Sequence, residues 1–414
     1  MTLRVLGAAA VLTGAMLVRA RADADERLPP WFDALGIPVG ETARSILPRK
    51  GDVYIHDSPA LGSPRRGLSL PFVNLPIYSA IDGSGCRARW IEIGPYAWVC
   101  GEQMEFSQAD PKTEEVHKLD DNGLFYRYFF APNGGAILYT RPTVDSGTAR
   151  ELDPGWGIAT TRDTHHANWA QTPGGHWVSL NEVSPARPSA FHGESVSGGL
   201  ALGWVIASPA RVYGGKPRRP RSTLSRQSHF DVREVEKVGT QRWVRISDDD
   251  EWLRAQDAAI PEIMSPPKEL NSPRERWIDI SLASQTLVAY EGDKPVYATL
   301  VSTGRGTPGN VTPTGTFRVW VKIRSSTMDN IEREGVSRHY SMDEVPYVQF
   351  FSKDIALHAA YWHRDFGKKR SHGCVNLSPL DARVLFAFTF PSLPPAWQAV
   401  YPTPRDPATV VVVR

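Results

Sequence analysis

A mainly β chain with one principal helix is what this sequence predicts, on three observations. Apolar and polar residues alternate at period two in short runs, as in Trp243-Val244-Arg245-Ile246, which is the period of a half-buried strand. Gly and Pro number 34 each and aromatic residues reach 10%, a composition that favours turns and short strands over long helices. One stretch alone carries a full helix start, NLSPLDARVLFAF. There Ser378 suits the N-cap and Pro379 the first turn, and Asp381 completes an S-x-x-D capping box. At 414 residues the chain exceeds one small core, so two or three domains are expected.

Residues 1–22 read as a secretory signal peptide. Arg4 supplies the positive n-region, Val5 to Val18 form an uncharged and mostly apolar run, and Ala20-Arg21-Ala22 is an A-x-A site before Asp23. The run is short for a membrane span, which needs about 20 apolar residues, so any membrane contact would come through an uncleaved leader. The expected location is outside the cytoplasm, in the periplasm or cell envelope. Cleavage after Ala22 leaves 44 basic against 45 acidic residues. A near-neutral exported protein offers no basis for nucleic acid binding.

Residues 23–65 are rich in Pro, Gly and charge and read as an irregular lead-in. Three stretches follow, 66–125, 126–200 and 201–260. Each pairs an apolar-Tyr strand with a later Trp-apolar-polar-apolar strand: Tyr78 with Trp90-Ile91-Glu92-Ile93, Tyr139 with Trp177-Val178-Ser179-Leu180, and Tyr213 with Trp243-Val244-Arg245-Ile246. The pattern describes three small antiparallel units or one irregular β domain. Cys86 and Cys100 flank Trp90 and Trp98 in the first stretch. An oxidising compartment and a gap that a hairpin can close predict a disulfide between them. Cys374 is then the odd thiol, which in an exported protein is intermolecular or reactive.

Residues 261–276, with four prolines, read as a linker or a strapped-down connection. From 277 to 414 the expected strands are 277–282, 286–292, 294–304, 315–323, 345–351, 354–359 and 409–413, with one helix beyond Ser378. The break predicts that a fragment starting near Glu269 folds by itself.

Cys374 lies in Arg370-Ser371-His372-Gly373-Cys374-Val375-Asn376. An ordinary thiol is only slightly ionised at neutral pH, so a nucleophilic cysteine needs a base or a positive environment. His372 is close in sequence, and His358 stands on an expected strand whose following loop can return to the cysteine. Gly373 permits close approach of backbone to substrate. Two successive N–H groups at this turn would serve as an oxyanion hole.

The S-H-G-C-x-N segment preceded by a strand histidine resembles the L,D-transpeptidase catalytic domain, the YkuD fold. Thr312-Pro313-Thr314-Gly315 with Phe317 resembles that family's T-P-x-G turn, and Ile278–Leu282 with Gln285-Thr286-Leu287 resembles its opening strands. The likeness spans about 277–400. The upstream pattern resembles bacterial SH3-like modules, which often accompany cell-wall enzymes. Together these resemblances imply small SH3-like β units followed by a β-sandwich-like catalytic domain with one principal helix. They imply Cys374 as nucleophile, His358 as general base, and His372 and Gly373 lining the site. Ser371 and Asn376 would support the loop by hydrogen bonds. The substrate implied is the peptidoglycan stem peptide, attacked without a cofactor, in cell-wall biogenesis and the maintenance of cell shape.

The basic loop between base and nucleophile, with Arg364, Lys368, Lys369 and Arg370, is a candidate contact for substrate carboxylates, Arg364 and Arg370 first. The blander readings are an exposed basic loop here, a structural buried cysteine at Cys374, and a zinc site of His358, His363, His372 and Cys374. No C-x-x-C or H-x₃-H set closes the last. His165-His166 and Lys216–Arg221 read as solvated loops. With the same site, water as acceptor would make the protein an L,D-carboxypeptidase, and a protein lysine would make it an anchoring enzyme. A wall-binding protein with an inactive catalytic domain is the non-enzymatic reading.

Overall fold

The computed structural model describes residues 43–162, 166, 168–197, 199–215, 218–332 and 339–414. The expected leader lies outside the described residues, as do His165, Lys216 and Pro217. Among the described residues the protein is mainly β, with one α-helix, Pro379–Phe388.

The lead-in is more ordered than its composition suggests. Ser45–Pro48 pairs antiparallel with Met104–Ser107, and Tyr54–His56 pairs with Arg65–Ser69. Strands of three or four residues are too short to show a period, so the sequence pattern missed them. Ile46, Ile55, Leu75, Ile91 and Val99 bury their side chains in one cluster. The Cys86–Cys100 disulfide is present, with Cα atoms 5.7 Å apart. It joins the turn before Trp90–Gly94 to the end of Ala97–Cys100, two strands paired as a hairpin.

The Tyr/Trp pattern becomes a physical contact in two of the three stretches. Trp177 is the strand partner of Tyr139, and the rings of Tyr213 and Trp243 meet edge to face at 5.0 Å. In the first stretch Tyr78 is 68% exposed while Trp90 is fully buried, so the pattern there is only a likeness of sequence. Residues 210–254 form a five-stranded antiparallel sheet of their own.

Some of the other upstream strands run into the C-terminal part. Arg65–Ser69 pairs with Trp397–Val400, Gly157–Thr160 bridges to Ser341–Ser352 in parallel, and Glu194–Ser195 pairs with Lys294–Leu300. Side chains follow the same course. Phe125 is buried among Ile278, Leu287 and Leu385, and Leu200, Leu202 and Trp204 share a cluster with Trp277, Val288 and Leu300. The 261–276 segment is strapped down. Met264 donates its N–H to the Tyr290 hydroxyl at 3.0 Å, and Met264 and Leu270 pack on the Trp277 cluster. Shared sheets and cores speak against the independently folding fragment expected from the proline-rich break.

The C-terminal part is a two-layer β-sandwich. One layer is ordered Glu194–Ser195, Lys294–Leu300, Thr286–Glu291, Arg276–Ser281, Val410–Val413, Gly315–Arg318. The other contains Val321–Asp329, Ser341–Ser352, Ile355–Ala359 and Val375–Leu377. The strand expected over 315–323 is two strands, one in each layer. The chain crosses between layers at Val319, which is fully buried, and Trp320, which is 45% exposed. Alternation persists through the crossing, so the pattern could not reveal it.

Ser378 caps the helix as expected, its Oγ accepting the Asp381 N–H at 3.1 Å. The Asp381 carboxylate does more than the capping box requires. It accepts the Gly193 N–H at 2.7 Å and the hydroxyls of Tyr297 and Thr299 at 2.6 Å each. A fully buried carboxylate held by such a network ties helix, sheet and upstream chain together, because a buried polar group needs partners to be tolerated.

Candidate active site

The site is built on two adjacent parallel strands, with Leu357 opposite Val375, His358 opposite Asn376 and Ala359 opposite Leu377. Side chains alternate across a sheet. Leu357, Ala359, Val375 and Leu377 face the sandwich core. His358, Cys374 and Asn376 therefore share the opposite face, where all three line one cavity of about 650 Å³. Parallel register thus brings together two residues that the sequence separates by a long loop.

The loop before Cys374 is laced to residues 302–305. Arg370 and Ser371 donate their N–H groups to the Thr303 carbonyl at 2.8 and 3.0 Å, and Arg305 donates to the Ser371 carbonyl at 3.1 Å. Ser302 and Asn376 exchange two bonds at 2.9 Å. Gly373 has φ +138°, and a Cβ there would lie 2.7 Å from Ile355 Cδ1, so only glycine fits this turn. Its carbonyl accepts from Thr312 Oγ1 at 2.6 Å, while Thr312 Oγ1 itself accepts the Gly304 N–H at 2.9 Å. Ser371 Oγ accepts the Gly373 N–H at 3.0 Å and donates to the Cys374 carbonyl. The Gly373 N–H is therefore occupied, which corrects the expectation that two successive N–H groups here point at substrate.

His358 is almost fully buried, and its Nδ1 lies 2.9 Å from the Ala359 carbonyl. A carbonyl can only accept, so Nδ1 carries the proton and Nε2 keeps its lone pair. Burial pushes the imidazole down to about 4, opposed by that hydrogen bond. Burial also pushes the Cys374 thiol up to about 11, with a backbone bond from Ala356 pulling down and the Asp354 charge pushing up. Between these limits both groups are neutral, so the cavity they share holds a thiol and an uncharged imidazole rather than a preformed ion pair. A neutral thiol can act as a nucleophile only if its proton leaves as attack occurs, which calls for a general base.

Asn376 is fixed by a second buried histidine. His363 Nε2 accepts from the Asn376 side-chain amide nitrogen at 2.9 Å, and the Asp365 N–H approaches its Nδ1 at 3.2 Å. Burial, with the Arg370 charge second, pushes His363 down to about 3, keeping it neutral. His363 is thus a support for Asn376, a role that reading it only as a zinc candidate missed.

His372 stacks on Tyr340 at 4.8 Å with the rings 7° from parallel, and Arg305 Nη1 approaches its Nε2 at 3.4 Å. This stack and Cys374 border a second cavity of about 500 Å³, lined also by Asp329, Glu332 and Asp354. The thiol therefore lies where a cleft with cationic side chains meets one with carboxylates. Of the two basic-loop residues, Arg370 lines the first cleft and is paired with Asp365 at 2.7 Å. Arg364 is not among the lining residues and donates to the Arg187 carbonyl at 3.0 Å. Arg305, Tyr340 and Trp362 were not anticipated. No local motif marks them, and only folding brings them to the cleft. Thr312 was signalled by the T-P-x-G turn.

These pKa directions predict the pH dependence of acylation. If His358 is the base, its imidazole must be neutral to accept the proton, and its folded value lies below the ordinary one, so acylation is expected above about 4 and should be lost as pH falls through it. The acylation rate of Cys374 by a β-lactam, measured from pH 3.5 to 9, should rise with a midpoint well below 6.5 and then stay level. A midpoint near 6.5 would mean that His358 is solvated.

Residues 275–412 match the family model of the L,D-transpeptidase catalytic domain, YkuD. Solved structures similar to the chain include the catalytic domain of an Enterococcus faecium L,D-transpeptidase, at 23% identity and TM-score 0.26, covering 34% of this chain and 98% of that one. L,D-transpeptidase 3 from Mycobacterium tuberculosis is 18% identical with TM-score 0.27, covering 44% of this chain and 77% of that one. An L,D-transpeptidase from Stackebrandtia nassauensis is 24% identical with TM-score 0.24, covering 36% and 58%. No curated protein matches the chain.

Proposed function

We propose that this protein is an exported peptidoglycan L,D-transpeptidase acting through Cys374 and His358. The observation that carries the reading is their placement on one face of paired parallel strands, with the His358 proton held at Nδ1 by the Ala359 carbonyl. The match of residues 275–412 to the catalytic-domain family supports it.

In the first step the thiol sulfur attacks the donor peptide carbonyl while His358 Nε2 takes its proton. The tetrahedral species collapses to a thioester, and the imidazolium returns the proton to the departing D-residue amine. In the second step an acceptor amine attacks the thioester, gives up a proton through His358 and regenerates the thiol. The cleft with Arg305, Arg370 and His372 suits the carboxylates of a donor stem. The cleft with Asp329, Glu332 and Asp354 suits an acceptor amine, and this favours amine transfer over hydrolysis. Export rests on the leader-like N-terminus, and the upstream sheets, the 210–254 sheet above all, are assigned to holding the protein on the wall.

Incubating the full chain with purified stem-peptide muropeptides and analysing the mass of the products tests the reading. The expected products have lost the terminal D-residue and are joined to an acceptor. Shortened products without cross-links would make the protein a carboxypeptidase. Unchanged muropeptides would remove the assignment.

A further inference from the structure

Part of the catalytic cleft is supplied from outside the matched domain. Phe130, at the end of the strand Arg127–Phe130, and the turn Pro154-Gly155-Trp156 line the same cavity as His358 and Cys374. Their position is held by a tight joint. Gly157 bridges to Met342, and a Cβ at Gly157 would fall 2.4 Å from the Tyr361 hydroxyl oxygen. The Tyr128 and Tyr361 rings stack at 3.9 Å, and the Tyr128 hydroxyl donates to the Glu344 carbonyl at 2.7 Å. Trp362, the next residue after Tyr361, lies in the cleft with its ring 5.7 Å from that of His358. The joint therefore fixes the upstream wall relative to the reacting groups.

Trp156 is buried in the core of its own β segment, whereas Phe130 is only partly buried. Phe130 thus offers the accessible apolar contact, with its ring 6.1 Å from that of Tyr361. Arg305 and Arg370 line the same cleft. A site of about 650 Å³ with an aromatic wall and cations suits an extended peptide carrying carboxylates.

We propose that Phe130 is a specificity-determining contact for the donor peptide, forming the wall against which the peptide lies while its carbonyl is presented to Cys374. This rests on the reading of the protein as a peptide acyltransferase. The wall belongs to the upstream β segment, so donor choice is made jointly by two regions of the chain.

The test uses the full chain and a tetrapeptide stem ending in D-alanine. In a Cys374→Ser background, where no thioester forms, adding Phe130→Ala should weaken peptide binding about tenfold by calorimetry, and Phe130→Leu about threefold. With Cys374 intact, Phe130→Ala should raise KM by a similar factor and move kcat less than threefold. Binding within twofold of the parent for both variants overturns the proposal, as does a loss confined to kcat. Should Phe130→Ala fail to fold, Phe130→Leu carries the same test at its smaller expected factor. If the peptide binds through Phe130 but the parent forms no thioester with it, the acyltransferase reading fails while the contact stands. If a thioester forms and Phe130 has no effect, the contact fails and the reading stands.

Discussion

Cys374→Ser and His358→Ala are each expected to slow acylation of the protein by a carbapenem-type β-lactam by roughly 10⁴- to 10⁶-fold, the scale seen when one member of a nucleophile–base pair is removed. The reason lies in the neutral resting pair. Burial holds the thiol at about 11 and the imidazole at about 4. A thiol held that high is expected to react at neutral pH only with a base in place, the role proposed for His358. Serine keeps the shape but is a poorer nucleophile. Alanine at 358 leaves the thiol without an acceptor for its proton. Intact-protein mass spectrometry after timed exposure reads the adduct directly. An adduct formed on Cys374→Ser at the parent rate would place the nucleophile elsewhere. An undiminished rate in His358→Ala would show that another group takes the proton.

A fragment comprising residues 269–414 should be insoluble or lack a cooperative thermal transition. It would expose the face of Trp277, Val288 and Leu300 that Leu200, Leu202 and Trp204 cover. It would also lose Phe125 from among Ile278, Leu287 and Leu385. Asp381 would lose the Gly193 N–H, and a buried carboxylate short of a donor costs about 1–3 kcal/mol. Trp397–Val400 and Lys294–Leu300 would become unprotected edges where they now pair with Arg65–Ser69 and Glu194–Ser195, a liability for aggregation. Together these losses rival the whole stability of an ordinary domain, about 5–15 kcal/mol. A soluble fragment with a sharp transition in calorimetry and full acylation at Cys374 would show that the upstream chain is dispensable to the fold.

Much of the site was legible because its parts are local. The S-H-G-C-x-N turn, the need for glycine at 373 and the Ser378 cap are fixed within a few residues, and the structure shows their contacts in place. The strand bearing His358 was visible from alternation, and the disulfide from spacing and expected export. The β class followed from short alternating runs and turn residues, each a property of a few neighbours in the chain.

Tertiary structure alone decided the rest. Alternation says that a strand has two faces but not which neighbour it joins. Hence 315–323 read as one strand although it serves two layers, and the proline-rich 261–276 segment read equally as a linker or a strapped-down connection until Met264 and Leu270 were seen in a shared core. Register of the Ile355–Ala359 and Val375–Leu377 pair put His358 and Cys374 on one face. Burial then set both of them neutral, a property no motif encodes. Phe130, Arg305 and Tyr340 reached the cleft through pairings between distant segments. Their sequence surroundings bear no mark of it, because the contacts that place them are made by residues distant in the chain.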